Sequence, residues 1–372
     1  MRLGIDVHAA EQDGSGNCSY IRGLIRALLA VDPENEYILY AVNPKHPFYA
    51  ELPRRAGVRI VKTGPRAPVL RIPIFLAAAS IRDRLDILHV QYIAPPFHQG
   101  RLVATIHDLG FLRVPSSFSR FFNRRSKILI RRTARRARRV IVGSEFSRRD
   151  IAETYGIPVS RIAVLPYGVE AAFFEPGDRS EDARVTAAYG VRPPYILSVG
   201  RLNPRKNLPA LARAFARFQA EGHRDHQLVI VGKEDFETTR TVDAVRAAGG
   251  RDIIFTGYVP DADLAALVRG AEIFVYPSLF EGVGLPLMEA MAAGVPVITS
   301  KVSSMPEIAG GAARLVDPAN EGEIAAALAA LADDPSLREE MRALGRERAR
   351  EFSWEAAARR TLEIYADVLR AS

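Results

Sequence analysis

Two hydrophobic rhythms alternate along this chain of 372 residues. Short runs rich in Val, Ile, Leu and Tyr read as buried strands, and longer segments with apolar residues every three or four positions read as helices. Their alternation is the mark of βαβ units and parallel sheets. In the first half the pattern predicts strands at Leu3–Val7, Tyr37–Val42, Val58–Val61, Ile87–Gln91, Leu102–Ile106, Val140–Gly143 and Ile162–Leu165. Helices are expected at Ser19–Ala30, Pro73–Asp83, Phe118–Arg138 and Ser147–Tyr155. Glu175 to Pro194 carries Pro176, Gly177, Pro193 and Pro194 among charged residues, and reads as an interdomain linker.

The rhythm then restarts. Strands are expected at Tyr195–Val199, Gln227–Val231, Ile253–Thr256, Ile273–Tyr276, Pro296–Thr299 and Ala313–Val316, and helices at Leu208–Gln219, Thr238–Ala247, Asp261–Val268 and Leu285–Ala293. From Glu321 onward the chain reads as helix to its end. Within Trp354–Arg370, Ala357, Leu362, Ile364, Tyr365, Val368 and Leu369 are the expected buried positions. The fold class is α/β: two doubly wound, Rossmann-like domains at 1–175 and 193–352 with a cleft between them, and a closing helix at 353–372.

Composition agrees with a globular protein, with 48% hydrophobic and 25% charged residues. The longest apolar stretch, Ile72 to Ile81, is ten residues with a proline and a serine, where a membrane-spanning helix needs about twenty. Asp6 comes too early for a signal peptide. The single cysteine, Cys18, has no internal partner for a disulfide, and a reducing cytoplasm is the expected compartment.

Charge changes the picture more. The formal net charge is +8, from 51 basic and 43 acidic residues. Arg120 to Arg139 alone holds ten basic residues and no acidic one, which leaves 41 basic against 43 acidic elsewhere. Three readings of that segment stand side by side: a nucleic-acid footprint, an anchor on an anionic membrane, or a solvated helix packed on its own domain. Phe121 and Phe122 are its only aromatics for stacking on bases. Phe122, Ser126, Leu129, Ile130, Ala134 and Ala137 fall on one helical face.

Open α/β sheets bind ligands beyond the carboxyl ends of their strands. Four such places are unusual. After the first strand comes Gly14-Ser15-Gly16-Asn17, where glycines and a following helix start suit an anion, although such turns are common. After the first strand of the second domain comes Gly200-Arg201-Leu202-Asn203-Pro204-Arg205-Lys206-Asn207. Asn207 reads there as the N-cap of the helix from Leu208, and Arg201 and Lys206 can converge on a diphosphate. The third is Glu281-Gly282-Val283-Gly284-Leu285, with Glu289 eight residues beyond Glu281. Carboxylates only accept hydrogen bonds and so match the hydroxyls of sugar or ribose, while the glycine N–H groups suit oxygens. Glu289 could equally compensate the dipole of its helix. The fourth is His107, in Thr105-Ile106-His107-Asp108-Leu109, which reads evenly as structural or functional. No spacing of histidines with Cys18 suggests a metal site.

Together these residues resemble the retaining glycosyltransferases of family 4, along essentially the whole chain. The resemblance includes the N-terminal glycine loop, Ile106 to Leu109, Val142 to Ser147, Pro166-Tyr167-Gly168-Val169, the loop from Gly200 to Asn207, Phe352-Ser353-Trp354, and above all the paired glutamates Glu281 and Glu289. Most similar are bacterial mannosyltransferases of O-antigen and exopolysaccharide synthesis. The resemblance implies the GT-B fold, an acceptor-binding first domain, a nucleotide-sugar-binding second domain, and a C-terminal helix returning to the first. It implies that Arg201 and Lys206 hold the donor diphosphate, Glu289 the ribose and Glu281 the donor sugar. Gly282, Val283, Gly284 and Leu285 would meet sugar and phosphate through backbone, and Tyr258 and Val259 would border the base. His107 would lie against the donor sugar, and Gly14 and Gly16 would close over the phosphates. The implied reaction needs no metal and no cofactor, the nucleotide sugar being a substrate. Implied partners are the donor, a glycan or lipid-linked saccharide acceptor and an anionic membrane surface, with no nucleic acid. GDP-mannose is the first choice of donor; UDP-glucose, UDP-N-acetylglucosamine and dTDP-rhamnose stand as alternatives. Two positions depart from the family pattern: Gly-Ser-Gly-Asn replaces adjacent glycines, and Tyr167 stands where asparagine is common.

Overall fold

The computed structural model describes residues 1–371 and divides into two compact units. One comprises Met1–Leu112, Arg120–Gly168 and the residues from Ser353 on; the other comprises Arg113–Ser119 and Val169–Phe352.

The first unit is built on a seven-stranded, all-parallel sheet of β1 (Arg2–Asp6), β2 (Glu36–Ala41), β3 (Val58–Lys62), β4 (Ile87–Gln91), β5 (Arg101–Thr105), β6 (Arg139–Val142) and β7 (Ile162–Val164), in the order β3-β2-β1-β4-β5-β6-β7. The central strands are buried along nearly every position because helices cover both faces. The last helix, Trp354–Arg370, packs on the Gly16–Val31 helix. Arg101 at the start of β5 fixes its far end by donating to the carbonyls of Leu369 (2.6 Å) and Ala371 (2.9 Å), groups that a helix end otherwise leaves without partners. At its near end Trp354 covers Gly168 so closely that a Cβ there would stand 2.3 Å from the Trp354 nitrogen. Ala357, Ile364, Tyr365 and Val368 are buried as the pattern predicts, whereas Leu362 and Leu369 are only half-buried at the margin of the stripe.

The second unit holds a six-stranded parallel sheet of β8 (Tyr195–Val199), β9 (Gln227–Val231), β10 (Ile253–Gly257), β11 (Ile273–Tyr276), β12 (Val297–Ser300) and β13 (Arg314–Val316), ordered β10-β9-β8-β11-β12-β13. Ile196, Leu211, Phe215, Phe218, Leu228, Ile230, Val275 and Leu328 form the centre of one core layer. Each such side chain contributes roughly 1.5–3 kcal/mol on burial. In both sheets the order reverses once, between β1 and β4 and between β8 and β11, and a ligand crevice opens at such a reversal.

Three sequence expectations change. The segment read as a linker contains a helix, Arg179–Ala188, capped by Asp178 and tied to the second unit by the bidentate Arg269–Asp182 pair. Proline content suggested a break, but only at its edges. The tail is not one continuous helix. It divides into Glu321–Asp333, Pro335–Ala349 and Trp354–Arg370, because Asp334 and Ser353 each accept a backbone N–H as N-caps and Pro335 forbids a continuous ladder. In the basic helix, Arg120–Arg136, the inward face is Ser126, Ile130, Thr133 and Ala134; Phe122 is exposed and Leu129 half-buried. Among the described residues no helix is long and apolar enough to cross a membrane.

Candidate active site

In the second unit the reversal of strand order sets the ends of β8 and β11 side by side, so loops some 75 residues apart in sequence meet. Beyond β8, Asn203 accepts from the Arg205 N–H (3.0 Å) and caps a single 3-10 turn, Pro204–Lys206. That turn aims two cations at one carboxylate. Arg205 Nη1 donates to Glu281 Oε2 at 2.5 Å, and Lys206 Nζ donates to Glu281 Oε1 at 2.6 Å. Lys206 also bonds the Tyr276 hydroxyl, which itself donates to Glu281 Oε1 at 3.1 Å. The Glu281 backbone is fixed by Ser303 and Ser304 (3.1 and 2.9 Å). Glu281 is 5% exposed. Burial alone would raise its carboxyl; the Arg205 and Lys206 charges outweigh burial and hold it down at about 2.

Behind Glu281 the chain enters the Leu285–Ala292 helix through Gly284, whose φ of +87° lies in the left-handed region that favours glycine. Gly282, Val283, Gly284 and Leu285 are buried against this turn. Glu289, one turn into the helix, is half-buried and meets no hydrogen-bond donor among the described residues. Burial, with the negative Asp261 and Glu170 adding, pushes its carboxyl up to about 8. Tyr258 is exposed at the end of β10 with Lys233 over its ring at 5.9 Å, and Val259 is buried beside it.

Arg201 pairs with Asp235 at 3.8 Å, and Arg205 shares Glu281 with Lys206. Sequence reading passed over Arg205 because neighbouring side chains usually diverge; the 3-10 turn brings them onto one target. Asn207 stands at the N-cap position but in the left-handed region (φ 59°), and its amide donates to Pro277 and Pro318 carbonyls instead of capping the helix.

His107 and the Gly14–Gly16 turn lie in the first unit. Gly16 begins the Gly16–Val31 helix, earlier than the pattern predicted, because Ser15 caps it by accepting from the Cys18 N–H. His107 is 6% exposed, just past β5. Gln91 Oε1, which can only accept, lies 2.9 Å from Nε2, so that nitrogen carries the proton and Nδ1 accepts from the Tyr167 hydroxyl at 2.6 Å. Tyr20 and Tyr92 pack edge-on against the ring. Burial, with His89 adding, pushes the imidazole down to about 3, so it is neutral at physiological pH. Ser147 Oγ holds the His107 carbonyl at 3.2 Å, and Ser144 caps the Glu145–Tyr155 helix; these are the two serines of the Val142 to Ser147 motif. Gln91, at a strand's carboxyl end, was findable by the same rule as His107; the role of Tyr167 was visible only as a departure. Among the described residues no group of three His, Cys, Asp or Glu is placed to hold a metal ion.

A family model described as glycosyl transferases group 1 matches residues 180–348, and one described as glycosyltransferase family 4 matches residues 19–173. The chain belongs to these glycosyltransferases and has their GT-B fold, two parallel-sheet Rossmann-like units. It is 32% identical over 292 residues to the O-antigen chain mannosyltransferase B of Escherichia coli, covering 77% of this chain and 76% of that one. It is 33% identical over 240 residues to an MMP alpha-(1->4)-mannosyltransferase of Mycolicibacterium hassiacum, over 63% and 55% of the two chains. Among solved structures, a sucrose-phosphate synthase from Thermosynechococcus elongatus superposes with a TM-score of 0.81 at 23% identity, over 100% and 99% of the chains. The protein is a glycosyltransferase.

Proposed function

We propose that this enzyme transfers a hexose, mannose from GDP-mannose in the first instance, with retention of configuration to a hydroxyl of a lipid-linked glycan acceptor in cell-surface polysaccharide synthesis. The observation that carries the reading is Glu281 clamped between Arg205 and Lys206 beside a glycine-opened helix start. That arrangement offers fixed cations for a diphosphate and an ionised acceptor for sugar hydroxyls. Two relatives named as mannosyltransferases favour mannose.

Cleavage of the bond from anomeric carbon to phosphate oxygen leaves both bonding electrons on the nucleoside diphosphate and positive charge on the sugar. Lys206 and Arg205, with Arg201 at the rim, stabilise the departing phosphate, a role metals fill in other enzymes, so no metal or cofactor is required. The acceptor hydroxyl attacks from the face the phosphate leaves, and a phosphate oxygen takes its proton. Glu281 orients the sugar through its hydroxyls, and Glu289 receives the ribose hydroxyls, with Tyr258 and Val259 beside the base. His107, neutral and held at both nitrogens, contributes a fixed ring surface rather than proton transfer. The enzyme works in the cytoplasm, with the Arg120–Arg139 segment drawn to anionic lipid at roughly 1 kcal/mol per basic residue near the surface.

A thermal-shift panel tests the donor. GDP-mannose at a hundred times its Kd adds about 2.7 kcal/mol of stability, and mannose transfer accompanies it. Stronger stabilisation by UDP-glucose, UDP-N-acetylglucosamine or dTDP-rhamnose would replace the donor while keeping the reaction.

A further inference from the structure

A second segment of the first unit is unusually exposed for its composition. Between β3 and β4 the chain forms a short helix, Pro68–Leu70, a π-helical turn, Arg71–Leu76, and a helix, Ala77–Arg82. Val69, Leu70, Ile74, Phe75 and Ile81 are 58, 47, 54, 43 and 49% exposed, an outward apolar row in thirteen residues. The i→i+5 bonding of the π turn brings residues four and five apart onto one face, so Val69 and Leu70 stand over Ile74 and Phe75. The inward side is held by Arg71, 1% exposed, whose guanidinium grips Asp6 at the end of β1 in a bidentate pair (2.9 and 3.0 Å). Leu76, Ala77, Ala79 and Ser80 pack beneath. The row is thus fixed outward, not loosely folded, and contiguous exposed apolar area of this kind marks an interaction surface.

Its charge selects the partner. Residues 53–84 hold eight basic side chains and one acidic, Asp83, which is buried and engaged by Arg82 and Arg59. A second copy of the chain would bring like charges together across a two-fold contact, whereas an anionic lipid surface complements them and also receives apolar side chains. We infer that Val69, Leu70, Ile74, Phe75 and Ile81 insert into an anionic bilayer surface and form the apolar half of a docking face whose electrostatic half is the Arg120–Arg136 helix, because the β3-to-β4 and β5-to-β6 connections run the same way along the sheet and right-handed crossovers set both on one face. This rests on the membrane reading above and deepens it.

The test uses the full chain and vesicles of phosphatidylglycerol with phosphatidylethanolamine, beside phosphatidylcholine controls. Wild type is expected to bind the anionic vesicles and to retain part of that binding in 0.5 M salt. Leu70→Ser/Ile74→Ser/Phe75→Ser is expected to bind about tenfold more weakly and to be released fully by salt, with an unchanged melting temperature. In a Phe75→Trp variant, bromolipid is expected to quench the new fluorescence. Equal binding and equal salt release of wild type and triple variant, or absence of quenching, overturns this inference and leaves the basic-helix reading standing. Failure of wild type to bind anionic vesicles at all overturns both, and a wild-type dimer dissociated by the triple variant makes the row a self-interface instead.

Discussion

His107 and Glu281 are buried to the same depth, 6 and 5% exposed, and the molecule handles them in opposite ways. Around His107 it supplies only aromatic rings, an amide and a hydroxyl, so burial wins and the ring gives up its charge. Around Glu281 it supplies two cations within 2.6 Å, and the charge survives burial. An ion kept charged in a dry site costs several kcal/mol of desolvation that its partners must offset, which only close, hydrogen-bonded partners can do. The difference teaches which region is electrostatic machinery and which is scaffold: a preorganised cationic site suits a departing phosphate, and a discharged aromatic nest suits fixed shape.

The most severe way to break this contrast is Lys206→Ala. It removes the ammonium 2.6 Å from Glu281 Oε1 and leaves Arg205 as the carboxylate's cation; on the proposed mechanism it lowers kcat by about 10²–10³. It also erodes the stability that ionised Glu281 contributes above its unfolded value near 4.5 and loses as pH falls toward about 2. Steady-state transfer assays with melting at pH 7 and pH 4 check both, and near-normal turnover would remove the phosphate clamp. Tyr167→Phe comes next. It keeps the ring stacked near Trp354 but leaves the buried Nδ1 of His107 without its donor, at a cost of about 1–3 kcal/mol. Denaturant unfolding and the imidazole nitrogen NMR shifts read the outcome; an unchanged tautomer and stability would show that the hydroxyl does not fix the ring.

Glu289 gives the sharpest effect, a slope with pH, because it is a carboxylate left without a cation among the described residues. Its folded value near 8 lies above the unfolded one near 4.5, so the native state holds a proton that the unfolded chain has lost. Stability therefore falls as pH rises from about 4.5 to 8, by less than about 1.4 kcal/mol per pH unit. Glu289→Gln is expected to remove that slope. Donor binding, measured by calorimetry, is expected to tighten over pH 6–8 in wild type as the carboxylate forms, and to be flat in the variant. A pH-independent wild type would show Glu289 to be ionised throughout.

Much of the fold was legible because a strand buried on both faces has to be largely apolar, as β8, β9 and β11 are, while β1 and β4 carry the polar residues Asp6 and Gln91 at the carboxyl end. The breaks in the tail at Asp334 and Ser353 were less legible, since Ala-rich flanks carry the helical rhythm straight across a cap. In the site, Glu281, Glu289 and Lys206 stood out by spacing and strand-end position. Arg205 and Tyr276 did not, because each meets Glu281 only once β8 and β11 lie side by side.

The sequence by itself determined the class: alternating rhythms dictate parallel sheets, and the glutamate pair with its glycines carries the resemblance to glycosyltransferases. The tertiary structure decided which cation meets which carboxylate and which titratable groups keep their charge. The physical reason is that periodicity is a local property of the chain, written in every few residues. Ionisation depends on the water excluded and the partners brought in by strands β4, β5, β8 and β11, whose adjacency exists only once the two sheets have formed.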